Sequence, residues 1–244
     1  MLDIIGAVSG MMAIAINLVA MASVLPLSLR QRLVLAGGTG AWVGLASGLA
    51  AAGALAFSPG QPVPLVGVMA AAPIIAAAVC WVFIPGFRNA LLAIPTSLLI
   101  GLNALRVIGV LFLMLAAVDR LSGPFPYSAG LGDVITGILA IPLARAAARG
   151  NLRRVVEWNA FGALDLFAAI GLGLTSAQGS PLHFLDVGVG SQAMQFLPFA
   201  LVPTVLVPFY LITHGVIAAQ LVHQRRRQEH GSAAHAGGLE DFAT

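Results

Sequence analysis

Seven apolar stretches, each long enough to cross a lipid bilayer, constrain this chain more than any other feature of its sequence. About 20 helical residues, rising about 1.5 Å each, cross a hydrocarbon core of ~30 Å. The predicted spans lie near residues 3–25, 33–57, 65–84, 91–118, 130–148, 155–176 and 197–222. The sequence therefore predicts an all-α, polytopic transmembrane helix bundle in residues 1–227, followed by a disordered cytoplasmic tail in residues 228–244.

The composition points the same way, because there are too few polar residues to cover a surface that faces water. Charged residues make up 9% of the 244 and hydrophobic residues 59%, whereas a soluble domain carries about 25% charged residues. The chain contains no Lys, and most of its Arg residues sit in short connections between apolar stretches. The high isoelectric point is therefore no sign of nucleic-acid binding.

The positions of the Arg residues predict how the bundle is oriented. Ten of the twelve fall on one side of the predicted bundle: Arg30, Arg32, Arg88, Arg145, Arg149, Arg153, Arg154, Arg225, Arg226 and Arg227. Positive charge is retained on the cytoplasmic side of membrane proteins. The sequence therefore predicts an N-terminus outside and a C-terminus inside. The first stretch is predicted to be a permanent span, since Asp3 stands where a signal peptide carries positive charge.

Ionisable side chains inside the predicted spans are the candidates for function. Burying one near the bilayer centre costs about 2.5–3.5 kcal/mol on insertion scales, so each needs a partner or a purpose. Arg106 on the fourth span and Asp165 on the sixth fall at similar depth and could form an ion pair, with Asp133 as the rival partner of Arg106. Asn103 shares the face of Arg106, and Trp158 shares that of Asp165. These five residues form a predicted buried polar centre, and the alternative is an ion pair that only fixes helix register.

A second set lies in the predicted inner half of the bundle. Tyr210 and His214 share one face of the seventh span, and Glu157 lies at a depth similar to that of His214. A contact between His214 and Glu157 would be sensitive to pH, which makes the three residues a candidate inner relay. The alternative is a structural His that is hydrogen-bonded to a neighbouring helix.

The residue inventory excludes several functions of multi-span proteins. A retinal Schiff base needs a Lys, which the chain lacks, and a bis-His haem needs two facing His, whereas only His214 is intramembrane. Metal-protease and serine-hydrolase motifs are missing, so neither a cofactor nor a metal site is predicted. No nucleophile–base pair can be assembled, which argues against an enzyme.

Three stretches carry a resemblance to a known group of proteins: Leu197–Pro203 with Val207–His214, Arg106–Gly109 with Gly130–Asp133, and Trp158–Gly162 with Asp165. In these positions the second half of the chain resembles an uncharacterised group of bacterial multi-pass membrane proteins. The resemblance implies a location in the bacterial cytoplasmic membrane and brings no assigned activity.

The sequence leaves three functions open. The first is a small-solute or proton-linked permease or channel-like protein, built on the polar centre. The second is a non-catalytic membrane subunit or assembly factor, whose Gly-rich second span would pack against a membrane-protein partner or a second copy of the chain. The third is an intramembrane enzyme that acts on a lipid or a quinone. In each case the lipid bilayer is an expected partner, and nucleic acid is not.

Overall fold

The computed structural model describes residues 1–26, 28–57 and 63–240, with side chains described as far as residue 226. Its α-helices are α1 (Leu2–Val24), α2 (Leu29–Ala51), α3 (Leu65–Phe83), α4 (Pro85–Leu92), α5 (Thr96–Leu102), α6 (Val110–Ala116), α7 (Pro124–Ala148), α8 (Val155–Ser176) and α9 (Val207–Glu240). A 3-10 segment (Asn103–Gly109) joins α5 to α6, a short 3-10 turn (Gln192–Gln195) follows α8, and a π-helical segment (Val202–Leu206) leads into α9.

Seven helical spans in the described ranges are long and apolar enough to cross a membrane. Five of them are α1, α2, α3, α7 and α8. The fourth runs from Thr96 to Ala116 through the 3-10 segment, and the seventh runs from Val202 to Arg226 through the π-helical segment. The predicted all-α bundle of seven spans is confirmed, and no strand interrupts the described ranges. The N-out, C-in orientation stays a prediction. Residues 228–240, which the sequence predicts to be disordered, continue α9 in the structure, and residues 241–244 lie outside the described ranges.

Proline sets two span boundaries that differ from the predicted ones. The fourth span begins at Thr96 instead of residue 91, because Pro95 lacks a backbone N–H and disfavours helix in the residue before it. Residues 85–92 form the separate helix α4. The fifth span begins at Pro124 instead of residue 130, with proline in the first turn, where a missing N–H costs no hydrogen bond.

Other boundaries move for local reasons as well. Helix α2 begins at Leu29 instead of residue 33, because Ser28 and Gln31 form a capping box that satisfies backbone N–H groups at its start. The helix ends at Ala51 instead of residue 57. The seventh span begins at Val202 instead of residue 197, after the turn that precedes it.

Helix α7 is the element around which the site-bearing half of the bundle is built. It packs against α5, the 3-10 segment, α6 and α8, while α9 packs against α8, α3 and α5. The helices α1 and α2 lie at the periphery and make fewer contacts with the rest. The fourth to seventh spans therefore enclose a common interior.

Candidate functional site

Arg106 lies in that interior and bridges two carboxylates. Its Nε donates to Oδ1 of Asp133 at 2.7 Å, and its Nη2 donates to Oδ2 of Asp165 at 2.6 Å. The Arg106 side chain is 1% exposed, that of Asp165 6% and that of Asp133 15%. The sequence left open which aspartate pairs with Arg106, and the structure pairs it with both. Because such charge-assisted bonds are strong, one side chain ties together the fourth, fifth and sixth spans.

The remaining guanidinium nitrogen of Arg106 reaches the sixth and seventh spans. Its Nη1 donates to the Gly162 carbonyl at 3.1 Å and lies 3.0 Å from Nε2 of His214. Asn159 fixes the imidazole, since its Nδ2 donates to the His214 carbonyl at 3.1 Å and its Oδ1 lies 2.8 Å from His214 Nδ1. That amide orientation requires Nδ1 to carry the proton, which leaves Nε2 to accept from Arg106. The hydrogen-bond pattern therefore assigns His214 as a neutral imidazole.

Three glycines on three spans stand directly against the side chains of this centre. The pairs are Gly109 with Asp133, Gly132 with Asp165, and Gly162 with His214. A Cβ added to any of these glycines would lie closer to the paired side chain than real Cβ atoms approach. The close approach of helix backbone to polar side chain therefore requires glycine at each position.

Two aromatic side chains border the centre. Trp158 donates from Nε1 to the Thr136 carbonyl at 3.0 Å, and its ring centroid lies 5.3 Å from that of the imidazole. The ring of Tyr210 faces the guanidinium, with Cζ of Arg106 5.9 Å from its centroid, which allows a cation–π interaction. Asn17 of the first span donates from Nδ2 to the Tyr210 hydroxyl at 3.3 Å, so α1 also contributes to the surroundings.

Asn103 is buried and lies three residues before Arg106 in the chain, but it makes no hydrogen bond to the polar centre. Its Nδ2 donates to the Leu99 carbonyl at 2.9 Å, one turn earlier on the same span. Its Oδ1 is buried and has no hydrogen-bond partner among the described residues. The predicted association of Asn103 with Arg106 is therefore one of position only.

The predicted contact between Glu157 and His214 is wrong. Glu157 is exposed, and both ring nitrogens of His214 are engaged by Arg106 and Asn159. The reason is helix geometry: the buried face of α8 carries residues spaced by three and four, including Trp158, Asn159, Gly162 and Asp165, and Glu157 falls off that face. The other members of the candidate inner relay, His214 and Tyr210, border the polar centre itself.

The centre carries an unbalanced charge. With both carboxylates ionised, Asp133 and Asp165 bring two negative charges against the one positive charge of Arg106, and His214 is neutral. Each aspartate has one oxygen bonded to Arg106 and one that accepts no hydrogen bond from the described residues. Asp133 is the better placed to exchange the surplus charge, because its side chain is the most exposed of the three. A proton or a cation at Asp133 would restore neutrality. Among the described residues, no group of three or more His, Cys, Asp or Glu side chains is arranged to hold a metal ion.

Asp133 also lies on the wall of two cavities. The larger has a volume of about 480 Å³, is partly open, and is lined by α3, the fourth to seventh spans and the turn before α9. Of the 26 described residues that line it, only Asp133, Ser191 and Gln195 have polar side chains. The smaller, about 40 Å³, is lined by Arg106, Asp133 and Tyr210 among others. Asp133 is thus the member of the polar centre that borders this almost entirely apolar space.

These observations define a class: a multi-pass helical membrane protein with an Arg–Asp–Asp centre buried between its last four spans. The chain belongs to the family described as a domain of unknown function, DUF8737, whose model matches residues 63–222. All members of the centre lie within the matched residues, whereas α1 and α2 precede them. No curated protein and no solved structure matches this chain.

Proposed function

We propose that the protein is a proton-linked permease or channel-like protein for a small solute, with Asp133 as the group that exchanges a proton. The observation that carries this proposal is that Asp133 belongs both to the polar centre and to the wall of the larger cavity. One of its oxygens is held by Arg106, and the side chain also lies on the wall of the 480 Å³ cavity. A carboxylate with access to a cavity and with a surplus charge to lose is suited to taking up a proton or a solute.

The other members of the centre support that exchange without taking part in it. Arg106 keeps Asp165 and the His214 imidazole as partners, so Asp133 can be neutralised without leaving the guanidinium unpaired. An unneutralised charge inside the bilayer costs about 2.5–3.5 kcal/mol, which gives proton uptake its driving force. The 3-10 segment at Asn103–Gly109 and the π-helical segment at Val202–Leu206 flank the centre, and interruptions of this kind often mark hinges or functional sites in helices.

The test is solute-dependent proton movement in proteoliposomes. The purified protein is reconstituted with an entrapped pH-sensitive dye, and candidate solutes are screened for their ability to change the internal pH. We expect at least one solute to move protons with the native protein. Asp133→Asn should abolish this coupling, because the exchanging carboxylate is gone.

Variants of the other two charges separate transport from structure. Arg106→Gln and Asp165→Asn should abolish flux in proteoliposomes that contain as much folded protein as the native sample. Native flux per folded molecule in both variants would instead support an ion-pair network that only stabilises the bundle. Leu164→Ala on α8, where Leu164 is 67% exposed, is the control and should leave flux and accumulation unchanged.

A second candidate function, a subunit or assembly factor, is favoured by the glycines of α2. A Cβ added at Gly40, Gly44 or Gly48 would meet no atom within 4 Å, so this small-residue face packs against nothing in the described part of the chain. Such a face lets another helix approach closely. Under this function a single Leu at Gly44 would break a defined complex and leave the isolated protein folded. This function would be excluded if the purified native protein is monodisperse on its own and the Gly44→Leu variant still moves solute.

A further inference from the structure

The larger cavity has the character of a small-molecule site with one charged group. Its volume of about 480 Å³ falls within the range of about 300–1,000 Å³ that small-molecule pockets occupy. Apolar side chains from several spans form its wall, among them Phe125, Ile170 and Leu174. A ligand that fills it must therefore be largely hydrophobic.

The three polar lining side chains restrict where a charged group of that ligand can lie. The Ser191 hydroxyl already donates to the Gly173 carbonyl at 2.5 Å. The Gln195 oxygen accepts from the Phe57 N–H at 3.0 Å, and its buried Nε2, which has no partner among the described residues, is a donor that cannot pair with a cation. Only Asp133 therefore offers an anionic acceptor.

The charge balance of the centre determines the sign of that group. Arg106 faces Asp133 and would repel a cation if it stood alone, but Asp165 lies 2.6 Å from its Nη2 and offsets that charge. Tyr210, which shares the smaller cavity with Asp133, adds no charge at neutral pH. With both carboxylates ionised, one negative charge of the centre stays uncompensated, and Asp133 is the carboxylate that lines the larger cavity. An anionic ligand would increase the imbalance, and a cationic one removes it.

We infer that the cavity binds a hydrophobic monovalent cation, whose charged head pairs with Asp133 and whose apolar body fills the cavity toward Gln195. A proton and the cation would then compete for one carboxylate, so that binding of one releases the other. This inference adds the class of solute to the proposed function. It rests on that function only in taking Asp133 as the group that exchanges a proton.

The test is equilibrium binding, without any gradient, to the full-length protein in lipid nanodiscs. Radiolabelled tetraphenylphosphonium is the probe, and neutral triphenylphosphine oxide is added as a competitor. Radiolabelled tetraphenylborate, an anion of the same shape, is measured in a separate sample, because the two ions would precipitate together. We expect saturable binding of the cation that the neutral compound does not displace, and no saturable binding of the anion. Lowering the pH should weaken binding, by up to about tenfold per unit, if the proton competes at one site.

Four variants locate the site. Asp133→Asn should weaken binding at least tenfold, and Asp133→Glu, which keeps the carboxylate, should retain it. Ile170→Trp fills the cavity and should also weaken binding, whereas Leu164→Trp on the same helix, at a residue outside the cavity lining, should not. The Glu and Trp variants keep the test decisive if Asp133→Asn does not accumulate.

The outcomes distinguish this inference from the proposed function. Equally tight binding of the anion measured alone, displacement by the neutral compound, or unchanged binding in Ile170→Trp would overturn the hydrophobic-cation site even if some other solute moved protons. Competitive binding of the phosphonium with no flux in proteoliposomes would instead support the site and refute transport.

Discussion

Replacing Gly162 by Ala is the sharpest test of how the centre is packed. A Cβ at this position would lie 2.6 Å from Cε1 and 2.8 Å from Nε2 of His214, and 3.0 Å from Cγ2 of Thr136. Ordinary contact begins near 3.4 Å, so the imidazole must move by about 0.8 Å. Arg106 Nη1 lies 3.0 Å from the same Nε2, and a displacement of this size is enough to lose that hydrogen bond.

The matched control is Gly171→Ala on the same helix. A Cβ there would meet no atom within 4 Å, so the substitution adds a methyl group to an open surface. Both variants gain the same helix propensity, about 0.5–1 kcal/mol, and the difference between them isolates the packing at His214. Inserting a methyl group into a filled interior costs about 1–3 kcal/mol. We therefore expect Gly162→Ala to be less stable than Gly171→Ala by about 1–3 kcal/mol.

The measurement is equilibrium unfolding in mixed micelles with increasing sodium dodecyl sulfate, followed by far-UV circular dichroism. The midpoint for Gly162→Ala should fall below that of the native protein, and the midpoint for Gly171→Ala should equal or exceed it. Equal midpoints for the two variants would refute the close packing of Gly162 against the imidazole.

Two further predictions follow from the hydrogen bonds of the polar centre, and a third follows from the distribution of the Arg residues. Arg106→Gln should lower the free energy of unfolding in mixed micelles by about 3–5 kcal/mol, because two buried carboxylates lose their partner, and a variant in which both aspartates also become Asn should regain most of it. Asn159→Leu should cost about 1–3 kcal/mol in the same assay, since it leaves the Nδ1–H of His214 unpaired and removes the additional hydrogen bond to the His214 carbonyl. With Cys80 replaced by Ala, a cysteine added at the N-terminus should react with a membrane-impermeant maleimide applied from outside, and one added at the C-terminus should not; the reverse pattern would refute the N-out orientation.

The number of spans could be predicted from the sequence because it depends on length and hydropathy, which are sums over many residues. The ends of the spans could not, because single local features decide them. Pro95 separates α4 from α5, and Pro124 starts α7 a full turn and a half before the predicted position. A proline at a helix end changes one or two backbone hydrogen bonds and leaves the average hydropathy of the stretch almost unchanged.

The residues of the centre divide in the same way. Arg106, Asp133 and Asp165 were identifiable because a charge in a span is expensive wherever it points. Asn159 was missed because an amide costs less to bury and carries no such signal, although it shares a face with Gly162 and Asp165. The depth of Glu157 along α8 predicts a place beside His214, whereas the 3.6-residue period of the helix turns Glu157 away from the buried face. The cavity depends on the packing of several spans, and no local pattern in the sequence reports it.

The charge balance bears directly on whether the centre is only structural. A pair that merely fixes helix register needs one Arg and one Asp. Arg106 and Asp165 would neutralise each other. Gly162 and His214 meet Nη1, and Nε would need only a neutral acceptor in place of Asp133. The second carboxylate, Asp133, adds a negative charge that the described side chains do not neutralise, at a cost in stability. Groups that lower the stability of a protein are retained at functional sites when activity depends on them. Asp133 is also the member of the centre that lines the large cavity, so the surplus charge and the access coincide in one side chain. That coincidence favours a centre that exchanges a proton or a cation over one that only holds the helices together.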